Sequence, residues 1–92
     1  MALQFEWDSR KAQVNKRKHG ITFEEASTIF GDPLSITIPD PAHSIGEDRL
    51  ITIGTSADGK VVVVVHIYYN DIVRIISARK ATGNERRQYE QG

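Results

Sequence analysis

The chain predicts an α+β fold built on one antiparallel sheet, and three observations carry the prediction. From Leu34 onward the apolar residues either alternate with polar ones or form unbroken β-branched runs, which is the pattern of strands. Before Leu34 they recur at helical spacing behind capping residues. After Arg79 a capping pair, Thr82 and Glu85, opens a short helix that runs through Tyr89. The expected order is a short N-terminal strand, two helices, a four-stranded antiparallel sheet and a short C-terminal helix.

Phe5-Glu6-Trp7 reads as the first strand, with Trp7 a core anchor, and Asp8 as the N-cap of a helix from about Ser9 to Lys18. Ala12 and Val14 are the only aliphatic residues of that helix, so it belongs on the surface, its lysine and arginine stems covering what it touches. Gly20 ends it in a left-handed turn. Thr22 and Glu25 form a capping box for a second helix, with Ile21 and Ala26 as a hydrophobic staple. Phe23, Ala26, Ile29 and Phe30 give this helix an apolar stripe, which marks it as the main helix packed on the sheet; Gly31-Asp32-Pro33 stops it.

Leu34, Ile36 and Ile38 alternate with Ser35 and Thr37 as a half-buried strand, and a loop follows from Pro39 to about Glu47. Arg49 to Thr55 is the next strand, and Asp58-Gly59 is a hairpin turn into Val61 to Tyr69. The unbroken valines from Val61 to Val65 indicate a central strand covered on both faces. Asn70-Asp71 turns the chain into Ile72 to Arg79.

Residues 1–92 are read as one domain, small enough for a partner to matter to its stability. The absence of cysteine removes disulfides, thiolate zinc sites and cysteine nucleophiles, and it suits a reducing cytoplasm. No signal peptide is visible at the N-terminus, and the longest apolar run, Val61 to Ile67, is interrupted by His66 and too short to span a bilayer. No His/Asp/Glu cluster has metal-ligand spacing on one element, so neither metal nor cofactor is expected.

The formal net charge is zero, which argues against indiscriminate nucleic-acid binding. Its distribution is uneven. Arg10, Lys11, Lys16, Arg17 and Lys18 cluster early, Arg74, Arg79, Lys80, Arg86 and Arg87 cluster late, and most acids lie between. If the ends meet, they form a basic patch on a neutral protein. The run Arg74-Ile75-Ile76-Ser77-Ala78-Arg79 adds a sharper signal, because a guanidinium on a β-branched strand needs carboxylate, phosphate or water around it.

Phe5-Glu6-Trp7-Asp8, Asn15 through Ala26, Asp32-Pro33, Glu47-Asp48-Arg49, Arg74 through Arg79 and Glu85-Arg86-Arg87-Gln88-Tyr89 occur in this order over nearly the whole chain. That ordered set resembles the BrnT family of bacterial type II toxins; Gly83-Asn84 departs from the more basic, helix-favouring residues of the pattern. The resemblance implies a RelE-like fold, RNA cleavage that arrests translation, and a BrnA-like ribbon-helix-helix antitoxin encoded beside the toxin. It also implies that operator DNA is reached only through the antitoxin complex.

Metal-free RNA cleavage needs a base for the ribose 2′-hydroxyl, cationic donors for the phosphate in the transition state, and an acid for the leaving oxygen. Arg79, then Arg74 and Arg49, are the candidates for the cationic role. By analogy with RelE-like enzymes, Tyr89 is a proton-transfer or base-stacking group, with Lys11 and His19 as helpers. His19 before Gly20 is equally explained as a helix C-terminal charge, His66 as a hydrogen-bonded core histidine, and His43 has no evident partner.

With Asn70-Asp71 as a two-residue turn, Tyr69 pairs with Ile72, His66 with Ile75 and Arg79 with Val62. His66 and Arg79 then share one side of the sheet and Arg74 lies on the other, unless a bulge intervenes. One of the two arginines is therefore expected to be structural or to face the antitoxin, and Arg79, at the strand end, is favoured for catalysis. The competing function is a non-catalytic antitoxin-binding subunit that helps its partner grip operator DNA in operon autorepression, its basic patches meeting antitoxin carboxylates or DNA phosphates. A stand-alone DNA-binding protein fits least, with no helix-turn-helix pattern.

Overall fold

The computed structural model describes residues 3–41 and 48–91; the expected loop position of His43 lies outside them. β1 (Gln4–Glu6) leads into α1 (Ser9–His19), α2 (Phe23–Ser27) and a 3₁₀ turn (Thr28–Gly31). β2 (Ile36–Pro39), β3 (Arg49–Thr55), β4 (Val61–Tyr69), β5 (Ile72–Lys80) and α3 (Gly83–Gln91) follow. The strand order is β1-β5-β4-β3-β2. The α+β class agrees with the sequence reading, with one correction: β1 is not separate but a fifth strand, paired parallel to β5, so the sheet is mixed. A parallel pair needs a crossover, and the connection from β1 to β5 runs through most of the chain.

Both N-caps form, but the expected Thr22–Glu25 box is only half made, because the Glu25 carboxylate turns instead to Ser56 Oγ and Lys60. Asp8 accepts from the Arg10 and Lys11 amides, Thr22 from the Glu25 amide, and Gly20 (φ 73°) ends α1 in the left-handed region. The second helix is shorter than its apolar stripe implied. It gives way to the 3₁₀ turn at Thr28, whose hydroxyl, like that of Ser27, bonds back to a carbonyl of the preceding turn. Phe23, Ala26 and Ile29 nonetheless pack fully buried against Val62, Val64, Val73, Ile75 and Ala78. Gly54 on β3 permits this approach, since a Cβ there would meet Ile29 and Ser35 at about 3.1 Å. Leu34, expected to open β2, lies outside it and is 72% exposed, because Asp32 captures its amide in a local turn.

α1 has little apolar surface, and a polar side chain attaches it. β1 pairs with β5 only from Ile72 to Arg74, which leaves the outer edge of β5 open at Ala78. The Asn15 amide closes it. Its Nδ2 donates to the Ala78 carbonyl at 2.8 Å and to the Ile21 carbonyl at 3.0 Å, and its Oδ1 accepts from the Ala78 amide at 3.1 Å. One side chain thus does the work of a neighbouring strand.

The turn at Asn70-Asp71, both at positive φ, sets Tyr69 opposite Ile72 and His66 opposite Ile75 as expected. Beyond that the register shifts. Val65 pairs with Ser77 and Val63 with Arg79, so Ile76 is an extra residue, a β-bulge. The expected pairing of Arg79 with Val62 is therefore wrong by one residue, and so is its side: Arg79 projects with Val63, on the face opposite His66. Because Ile67 and Val63 share that face, Arg74 and Arg79 do too.

His66 is a core histidine, 3% exposed. Its Nε2 is 2.8 Å from Thr52 Oγ1, which is 2.8 Å from Thr37 Oγ1, and its ring meets Phe30 edge-on. Burial pushes its pKa down to about 4, so the native state holds it neutral. The associated stability is complete above the ordinary histidine pKa and is lost as pH falls from about 6.5 towards 4. Between pH 7 and 5 the wild type should lose roughly 1–2 kcal/mol through this group, and urea denaturation of His66→Gln should show a clearly smaller drop. Asn15→Ala strands the Ala78 edge groups and should cost about 2–4 kcal/mol by the same measurement.

Candidate functional site

The helices α1 and α2 and the 3₁₀ turn take up one face of the sheet and its β5 edge, and the other face carries the arginines. Arg49 of β3 pairs with Ile67, Ile67 with Arg74, and Arg74 with Glu6, a row across four strands. Arg79 lies one bulge further along β5, in the row of Ile53 and Val63. The apolar floor between them includes Ile51, Ile53, Val63, Val65 and Ile67, of which only Val63 is fully buried, at 2% exposure.

Each β5 arginine carries a carboxylate. Arg74 Nη1 donates to Glu6 Oε2 at 2.8 Å, and the Tyr69 hydroxyl donates to the same oxygen. The Tyr69 bond, then Arg74, holds the Glu6 carboxyl below its usual range. Arg79 makes a two-pronged pair with Glu85, Nη1 to Oε1 at 2.7 Å and Nη2 to Oε2 at 2.9 Å. Chiefly through this pair, Glu85 falls to about 2 and the guanidinium rises further. Glu85 also completes the expected capping box, accepting from the Thr82 amide while its own amide donates to Thr82 Oγ1. α3 accordingly begins at Gly83 despite the glycine.

Tyr89, one helical turn beyond Glu85, is bound at the far end of α3. Its hydroxyl donates to Asp32 Oδ2 and lies 2.9 Å from Thr55 Oγ1. Asp32 is held below the usual carboxylate range by the Thr55 amide, the Tyr89 hydroxyl and the Leu34 amide, and it pushes the Tyr89 phenol up. At neutral pH the phenol keeps its proton and directs it at Asp32. Since α3 has no buried residue, these polar contacts at Glu85 and Tyr89 hold it on the sheet.

Lys11 and His19 come together two turns apart on α1, in a cavity of about 310 Å³ between that helix and β5. Arg10 and Lys18 flank them, and the floor is Ile76 and Ser77, the bulge itself. The cavity thus adjoins β5 between Arg74 and Arg79. None of the five cations of α1 forms an ion pair among the described residues. Arg86 points elsewhere, into a cavity of about 250 Å³ with Lys60 and Lys80. Among the described residues no group of three or more His, Asp or Glu could hold a metal ion, and no helix is long and apolar enough to cross a membrane.

Sequence reasoning missed Glu6, Glu85, Asp32 and Asn15 as members of this arrangement. All four stand in the ordered motifs, but only Glu85 left a signal of its contact, as a helix cap six residues after Arg79.

The family model described as the ribonuclease toxin BrnT of type II toxin–antitoxin systems matches residues 7–85. The crystal structure of the Brucella abortus ribonuclease toxin BrnT superposes with a TM-score of 0.68 at 25% identity, over 88% of this chain and 99% of that one. No curated protein matches.

The two-ended attachment of α3 makes a testable case. Tyr89→Phe removes the hydroxyl bonds but leaves Asp32 its amide donors, and should weaken the docking of α3 by about 1 kcal/mol. Amide exchange across residues 83–91 should accelerate roughly fivefold while β4 keeps its protection.

Proposed function

The chain belongs to the BrnT family of ribonuclease toxins of type II toxin–antitoxin systems, and on that premise we propose that it is a single-domain, metal-independent endoribonuclease whose RNA cleavage arrests translation in the cytoplasm. It is neutralised by a BrnA-like ribbon-helix-helix antitoxin and meets operator DNA only through that complex. The observation that carries this reading is the bulge at Ile76, which aligns Arg74 and Arg79 on the face that also bears Arg49 and forms the floor of the Lys11–His19 cavity.

In this reading Arg79 donates to the scissile phosphate, and Arg74 and Arg49 grip the flanking backbone. The ribose 2′-oxygen attacks phosphorus and its proton passes to a base. The bond to the 5′-oxygen breaks, and an acid protonates that oxygen, leaving a 2′,3′-cyclic phosphate and a 5′-hydroxyl. His19 and Lys11, on one helix beside Ser77, are suited to these two transfers. Tyr89, with its proton directed at Asp32, serves by anchoring α3.

A second reading, a non-catalytic antitoxin-binding subunit, is favoured by the carboxylate already present on Arg74 and on Arg79. Expression without antitoxin separates the two. Wild-type protein should arrest growth and degrade RNA, the purified enzyme should cleave in the presence of EDTA, and Arg79→Ala should lower cleavage by roughly 10²–10³, the usual loss for a transition-state donor. Growth without RNA loss, at equal soluble protein, would favour the binding subunit.

A further inference from the structure

Arg79 has five N–H donors. One on Nη1 and one on Nη2 go to Glu85, at 2.7 and 2.9 Å, and Nη1 also reaches the Lys80 carbonyl at 3.3 Å. The Nε–H and the outer Nη2–H have no partner among the described residues. These two point the same way along one side of the guanidinium plane, the fork that matches two oxygens of a phosphate. The side chain remains 42% exposed.

Glu85 is itself held firmly. Its Oε1 takes the Thr82 amide as well as Arg79 Nη1. One turn later Tyr89 ties the same helix to Asp32 and Thr55. A long, flexible arginine is thereby fixed from behind by a carboxylate built into the first turn of α3, while its free side stays open.

We propose that Glu85 is a positioning residue for the ribonuclease reaction: it holds the end of the Arg79 guanidinium so that the Nε/Nη2 side is presented, pre-aligned, to the scissile phosphate. The inference rests on the ribonuclease reading above. A carboxylate this close to a phosphate site also weakens its attraction for RNA, so Glu85 trades ground-state affinity for alignment in the transition state.

Glu85→Gln tests this, because glutamine also serves in a capping box but cannot form the charged two-pronged pair. With purified protein and an oligoribonucleotide, kcat should fall by about tenfold or more while KM stays level or decreases. Thr82→Ala destabilises the same helix end without removing the carboxylate, and should keep kcat within about twofold. It also calibrates any loss that comes from fraying alone.

Glu85→Gln with unchanged or raised kcat, alongside an inactive Arg79→Ala, would overturn the positioning role and leave the ribonuclease site intact. Equal kcat losses in Glu85→Gln and Thr82→Ala would reduce Glu85 to a helix cap. Full activity in Arg79→Ala would overturn the site assignment itself.

Discussion

The Asn15 amide on the open edge of β5 is the contact on which the functional face depends. A strand edge with unpaired amide and carbonyl groups must be satisfied if it is buried. β1 is too short to reach Ala78, and α1 has too few apolar residues to dock by burial alone. One primary amide, donating and accepting at once, solves both problems. It also sets the position of a strongly cationic helix along β5, so that Lys11 and His19 overlook the bulge.

That bulge is the second determinant. In a regular strand, residues five apart project to opposite faces. One inserted residue, Ile76, reverses the parity between Arg74 and Arg79 without disturbing the core residues Ile75 and Ala78, which stay buried on the helical side. Bulges often re-aim side chains near active sites, and this one also forms the floor of the adjoining cavity.

The charge arrangement explains how a chain of zero net charge carries a cationic face. Glu6 and Glu85 each take one edge of an arginine and leave other donors available. The cations of α1 are left without ion pairs among the described residues. Half-buried arginines are thus held in place by local carboxylates, while exposed lysines and arginines supply the longer-range field. α3, with no buried residue, is held by the polar contacts of Glu85 and Tyr89, so its docking is more easily released than that of the helices over the core.

Much of this was legible in the residues themselves. Asp8, Thr22 and Thr82 start helices wherever they stand before suitable partners, Gly20 and Asn70-Asp71 tolerate left-handed backbone, and the Val61–Val65 run reads as a central strand. Such signals act over a few residues, so local chemistry suffices to reveal them. The ordered motifs likewise identified the family from sequence. The pairing of β1 with β5, the role of Asn15 and the face occupied by Arg79 were decided only in three dimensions. Each depends on partners more than sixty residues apart or on a one-residue register shift, which moves every later side chain of the strand to the other face. The sequence by itself determined the elements and their order; tertiary pairing decided which arginines share a surface, because side-chain direction in a sheet follows register and not residue identity.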